Sequence, residues 1–156
     1  MLYYHIMTST TPTLVAIAIA AKIGNPQISL PLSFLSNYLL DMVPHWDFGF
    51  NWRLKSKTKL FLEGLLDIIV SYALVFIIQK YYLPQVNLWY MLLVAFFAQL
   101  PDWLEIPYLL FNWKFEPFAF FYRIQHLIHR RLRFPWGLLP QIAIAFPLLY
   151  FAIATS

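Results

Sequence analysis

The 156-residue chain is 61% hydrophobic and 20% aromatic but only 12% charged, which excludes an ordinary soluble domain and points to one integral membrane domain over residues 1–156. Its formal charge of +4 comes with eleven basic residues. In a lipid-soluble chain these fix orientation and meet anionic headgroups rather than bind nucleic acid. No cysteine is present, so disulfides, thiolate metal ligands and a Cys nucleophile are excluded.

The N-terminal stretch "MLYYHIMTSTTPTLVAIAIAAKIGN" has an apolar run but no basic start and no small-residue cleavage site, and is expected to be retained. A first helix is predicted from about Thr13 to Gly24, where Gly-Asn-Pro supplies the stop, and a second from Ile28 to Val43. Both fall short of the roughly 20 residues of a full span, so they form a tight hairpin or are lengthened by flanking polar residues. "LFLEGLLDIIVSYALVFIIQ", Leu60 to Gln79, is the clearest full-length span. Another span is expected from Leu88 to about Leu100, ended by Pro101, with "DWLEIPYLLFNWKFEP" as an interfacial excursion. Phe118 to Leu132 reads as an amphipathic interfacial helix, and Trp136 to Ala154 as a last span that tolerates Pro140 and Pro147 as kinks. The fold class is therefore all-α: a polytopic helical bundle with short or re-entrant helices.

Arg53, Lys55, Lys57 and Lys59 crowd one loop, and Arg130, Arg131 and Arg133 another. Both loops are expected on the cytoplasmic side. Threading the chain this way brings His45, Asp47, Glu63, Asp102, Glu105, His126 and His129 toward one membrane face.

Three groups of those residues have the chemistry of a site. In "SNYLLDMVPHWD", Ser33, Asn37 and Asp41 share a helical stripe, and Asp41, His45 and Asp47 straddle the helix end at Pro44. Two carboxylates and an imidazole in one volume suit zinc, manganese or magnesium, or else satisfy one another and a helix end. Glu63, Asp67 and Ser71 follow at steps of four. Asp67 lies about two turns inside a span, where a charge costs roughly 2.5 to 3.5 kcal/mol and needs a partner, a proton or a cavity. In "RIQHLIHRRLR", Gln125 and His129 are four apart, and His126 and His129 could add imidazole ligands. The arginines here suit either a phosphate or anionic lipid. No Gly-x-Ser-x-Gly elbow or Gly-rich phosphate loop is present, so water activated by a metal is the favoured chemistry, with Glu63 or Asp67 as general base.

"TPTLVAIAIAAKIGNP", "SNYLLDMVPHWD" and "LPDWLEIP" together resemble the bacterial family of inner-membrane, membrane-bound metal-dependent hydrolases. The family pattern is Ser-His, three residues, Asp, two residues, Pro-His, an acid soon after, then a later Leu-Pro-Asp. Asp41, Pro44, His45, Asp47 and Leu100-Pro101-Asp102 match it. The resemblance implies a helical membrane fold, a divalent metal and hydrolysis, with a phosphoester or lipid as substrate. It makes Asp41, His45, Asp47 and Asp102 expected ligands, joined by His126 and His129. The chain departs from the pattern at Asn37, where the family has His, and at Thr13 and Leu14, where an early His follows the Thr-Pro turn. The alternative expectation is a non-catalytic scaffold or degenerate relative whose polar cluster holds short helices together.

Overall fold

The computed structural model describes residues 8–47, 55–130 and 132–156. Among the described residues the chain is all-helical and contains no strand: α1 Thr10–Lys22, α2 Pro26–Met42, α3 Lys57–Tyr82, α4 Leu88–Phe111, α5 Phe118–Ile128 and α6 Leu138–Ala154. Residues 1–7 of the N-terminal stretch, and Arg53 and Arg131 of the two basic loops, lie outside the described residues, as does the side chain of Lys57.

Local chemistry sets several helix starts. Asn25 accepts from the Gln27 amide at 2.9 Å ahead of Pro26, Ser56 from the Lys59 amide at 3.2 Å, and Asn87 from the Tyr90 amide at 3.0 Å. Each side-chain oxygen satisfies one of the amides that a helix start leaves without a partner. α1 has no such cap of its own. A carboxylate from α3 supplies it: Asp67 accepts from the Ser9 amide and from the Thr10 hydroxyl. That is the partner a buried acid inside an apolar helix requires.

α1 is the hub. It packs against α2, α3, α4 and α6, and Thr11 through Ala18 are all buried. The alanines Ala16, Ala18 and Ala20 let the neighbouring backbones approach closely. Val75 and Ile78 of α3, Met91, Val94, Ala95 and Ala98 of α4, and Ala145 of α6 complete the core.

α3 is the one helix among the described residues long and apolar enough to cross a membrane, over the 22 residues Phe61–Tyr82; α1 and α6 are shorter apolar helices. Its outer surface carries exposed Leu62, Leu65, Ile69, Phe76 and Ile77.

The expected stop at Pro101 is not observed. α4 continues through Pro101 and Pro107 to Phe111, and ends where Asn112 takes a left-handed conformation, φ 57°. Pro101 has no N–H to offer the Phe97 carbonyl one turn back, and at the adjoining position the Ala98 carbonyl accepts from Asn37 Nδ2 at 2.9 Å. A side chain from α2 thus bonds the helix backbone beside the proline. Asn112 then ends it because asparagine tolerates the left-handed region better than most residues.

Between the helices, the segment after α2 pairs with the segment after α5. His45 N–H donates to Arg130 O at 3.1 Å, Arg130 N–H to Asp41 O at 3.1 Å, and Leu132 N–H to His45 O at 2.7 Å. Trp46 N–H then donates to Gly137 O at 3.1 Å, and Gln141 of α6 donates to Trp46 O at 2.6 Å. Gly137 is required by this close approach: a Cβ there would stand 2.4 Å from Trp46 N and 2.6 Å from Trp46 Cβ. Gly137→Ala is expected to destabilise the protein by about 1–3 kcal/mol through overpacking of backbone on backbone. The check is thermal unfolding in detergent beside Gly24→Ala, whose Cβ would meet nothing within 4 Å.

Candidate metal centre

The pairing of these two segments gathers the polar residues. Asp41 sits in the last turn of α2, His45 and Asp47 in the segment that follows, and His129 caps the C-terminus of α5. Asp41, His45 and His129 offer one ligand atom each, all within 4.8 Å of one another, and form a group able to hold a metal ion. Donors of a tetrahedral zinc site stand about 3.4 Å apart, given bonds of roughly 2.0–2.2 Å. Small side-chain rotations would close the difference.

The imidazoles differ in state. His45 donates Nδ1–H to the Val43 carbonyl at 2.8 Å, which leaves the Nε2 lone pair pointing inward. That Nε2 is buried without a hydrogen-bond partner and lies 3.9 Å from Asp41 Oδ1. Burial lowers the His45 pKa, and the neighbouring His129 charge lowers it further, so the ring is neutral. A neutral imidazole whose far nitrogen is anchored to a backbone carbonyl has the form of a metal-ligating histidine.

His129 is bonded on both sides: Nδ1–H to Asp41 Oδ1 at 3.1 Å and Nε2–H to Asp47 Oδ2 at 3.0 Å. Burial alone would lower its pKa, but the two carboxylates outweigh it and push it up to about 9. The two rings meet edge to face, with centroids 4.7 Å apart.

Behind this group lies a shell of amides and one further acid. Gln125 Nε2 donates to Asp102 Oδ1 at 2.6 Å and lies 3.4 Å from Asp41 Oδ2, and Asn37 Nδ2 donates to Asp102 Oδ2 at 2.9 Å. Asp102 is thus bound through amides and stands one step removed from the Asp41–His45–His129 group. Asn37, at a position where the resembled family has His, props Asp102 and the α4 backbone. Of Thr13 and Leu14, where an early His follows the Thr-Pro turn in that family, Thr13 accepts from Gln99 Nε2 at 2.8 Å and Leu14 lies in the hydrophobic core.

The remaining sequence candidates lie elsewhere. His126 is exposed, its ring stacked on Tyr122 with centroids 5.7 Å apart. Glu63 pairs with Lys55 at 2.6 Å, and Asp67 holds the start of α1. Neither acid belongs to the Asp41–His45–His129 group. Gln125 was the signal to read: four residues before His129 on one helix, it joins Asp41 to Asp102.

Since His129 stays protonated up to about pH 9, an ion taking one of its nitrogens must displace a proton. Apparent metal affinity is therefore expected to rise by up to about tenfold per pH unit below that value and to level off above it. Calorimetric titration in buffers of different ionisation enthalpy should register about one proton released per ion. An affinity independent of pH would show that His129 is not a protonated ligand.

Compared with protein-family models, with curated proteins and with solved structures, the chain matches none.

Proposed function

We propose that the chain is a polytopic protein of the bacterial inner membrane that binds one divalent transition-metal ion, zinc or manganese, and hydrolyses a phosphoester or lipid at the cytoplasmic face. The observation that carries the metal reading is His45 Nε2, a buried lone pair with no hydrogen-bond partner beside Asp41 Oδ1. Leaving such an acceptor unsatisfied costs about 1–3 kcal/mol, and a cation between His45, Asp41 and His129 removes that cost.

In this reading His45 Nε2, Asp41 Oδ1 and His129 Nδ1 are the donor atoms. Asp47 holds His129 Nε2–H and fixes the ring, an outer-shell role of the kind whose loss weakens metal binding by about 10–100-fold. Asp102, held by Gln125 and Asn37, is the acid placed to hold a proton near Asp41. Glu63 and Asp67 have no catalytic part, because Lys55 and the start of α1 engage them. A divalent ion would supply Lewis acidity toward a phosphoryl or carbonyl oxygen and toward water.

The membrane reading draws support from the exposed apolar surface of α3, and from Ile142, Phe146 and Phe151 exposed on α6. The cytoplasmic assignment draws on Arg130, whose backbone bonds Asp41 and His45, together with Arg133 and Lys55. Motif resemblance to metal-dependent hydrolases points the same way.

One observation favours a second, non-catalytic reading: both His129 nitrogens are already bonded to carboxylates, so most of the cluster is satisfied by ion pairing. Purified full-length protein, dialysed against zinc or manganese and assayed by mass spectrometry of the metal, separates the two. About one ion per chain is expected, with binding weakened more than about tenfold in His45→Ala and Asp41→Ala and unchanged in His126→Ala. Stoichiometry unaffected by His45→Ala would sink the metal assignment. Metal-loaded protein inert toward a range of phosphoesters and lipid esters would leave the scaffold reading.

A further inference from the structure

A cavity of about 340 Å³ opens beside the metal group, and none of the residues discussed so far as ligands lines it. Its walls come from three helices and one connecting segment: Leu14 of α1, Leu66 and Val70 of α3, Ile142 and Phe146 of α6, and Trp46. α3 and α6 both pack on α1, and the cavity lies between them. Its volume is at the lower end of the range of small-molecule sites, roughly 300–1,000 Å³.

The lining is graded. Most of it is aliphatic or aromatic, whereas Thr8, Thr10, Thr11, Asp67 and Gln141 supply polar atoms at the start of α1 and on the facing turn of α6. Asp67 and Thr10 are bonded to each other, and the Thr11 hydroxyl reaches Gln141 Oε1 at 3.3 Å. The Thr8 hydroxyl is buried, its residue 6% exposed, and has no hydrogen-bond partner. An apolar space with a polar rim that includes an unused hydroxyl matches an amphiphile better than water, which needs two to four polar partners.

We infer that this cavity takes an acyl chain of a bilayer phospholipid, with the ester region of the lipid at the Thr8–Gln141 rim. Two features select that occupant. Val70 is 42% exposed and Ile142 is 49% exposed, on the same helix surfaces that carry the apolar outer residues, so the space is continuous with the surface assigned to lipid. Trp46, which forms part of the wall, stands between His45 and Asp47 in the chain, and consecutive Cα atoms lie about 3.8 Å apart. The cavity wall therefore shares a chain segment with the metal group. The acyl site stands on the cavity alone; its use as a substrate site rests on the metal-hydrolase reading and makes the substrate a phospholipid.

The test uses full-length protein in vesicles of phosphatidylethanolamine and phosphatidylglycerol containing a phospholipid with a photoactivatable diazirine on its acyl chain. Crosslinked positions are mapped by mass spectrometry. Labelling should concentrate at Leu66, Val70, Ile142 and Phe146. Filling the cavity from either wall, with Val70→Phe or Ala145→Phe, should cut it at least about fivefold. Leu139→Phe, on α6 but outside the lining, should leave it unchanged. Thermal unfolding of the same variants reports folding without reference to metal, and zinc stoichiometry measured beside it keeps the two proposals apart. Labelling that persists in His45→Ala protein lacking metal upholds the acyl site independently of the metal, whereas metal-loaded protein that is labelled at these positions but does not hydrolyse phospholipid overturns only the substrate role. Labelling spread evenly over Leu62, Ile69 and Phe76 and indifferent to Val70→Phe and Ala145→Phe would mean annular lipid only and overturn the inference.

Discussion

The His129 ring held between the Asp41 and Asp47 carboxylates ties the end of α2 to the end of α5. All three side chains are almost fully buried, at 0–2% exposure. Two carboxylates alone in such surroundings would repel and would carry an uncompensated desolvation cost of several kcal/mol each. The cation between them reverses the sign of the interaction, and the low local dielectric then strengthens it. The neighbouring backbone bonds from His45, Trp46 and Leu132 depend on that register, and through Trp46 so does the seating of Gly137 and the start of α6.

Two polar groups stand out in the otherwise apolar chain, beside smaller contacts such as Gln99 with Thr13 and Tyr90 with Ser29. One group closes the start of α1 with Asp67, Thr10 and Ser71. The other joins α2, α4 and α5 through Asp41, Asn37, Asp102, Gln125 and His129. Asn37 Oδ1, Gln125 Oε1 and His45 Nε2 are buried without a hydrogen-bond partner. Of these, His45 Nε2 is the one that belongs to the Asp41–His45–His129 group, and the metal reading rests on it.

Much of the helical layout was legible because apolar runs and Gly, Pro and Asn punctuation are local signals. α1, α2, α3 and α6 lie within a few residues of the spans read from sequence. The extension of α4 past Pro101 was not legible, because the contacts beside the proline, such as that of Asn37 with the Ala98 carbonyl, come from a residue 61 positions away. Asp41, His45 and His129 were legible as chemistry, by residue type and by spacing around Pro44 and along α5. His126 shows the limit of such reasoning: three residues from His129 on one helix, it points outward onto Tyr122. Spacing identifies a shared half of a helix, whereas the direction of that half is set by what it packs against. Asp67 was likewise legible as a buried acid in need of a partner, but the partner is the backbone at the start of another helix, which no side-chain pattern announces.

The Asp67 contact also bears on the order in which the molecule can be made. α1 precedes α3 in the chain, yet its first turn is completed by a carboxylate 58 positions later than Ser9. During synthesis the Ser9 amide lacks this partner until α3 has been made. The first turn of α1, the hub of the fold, is therefore completed by a segment that follows it in the chain.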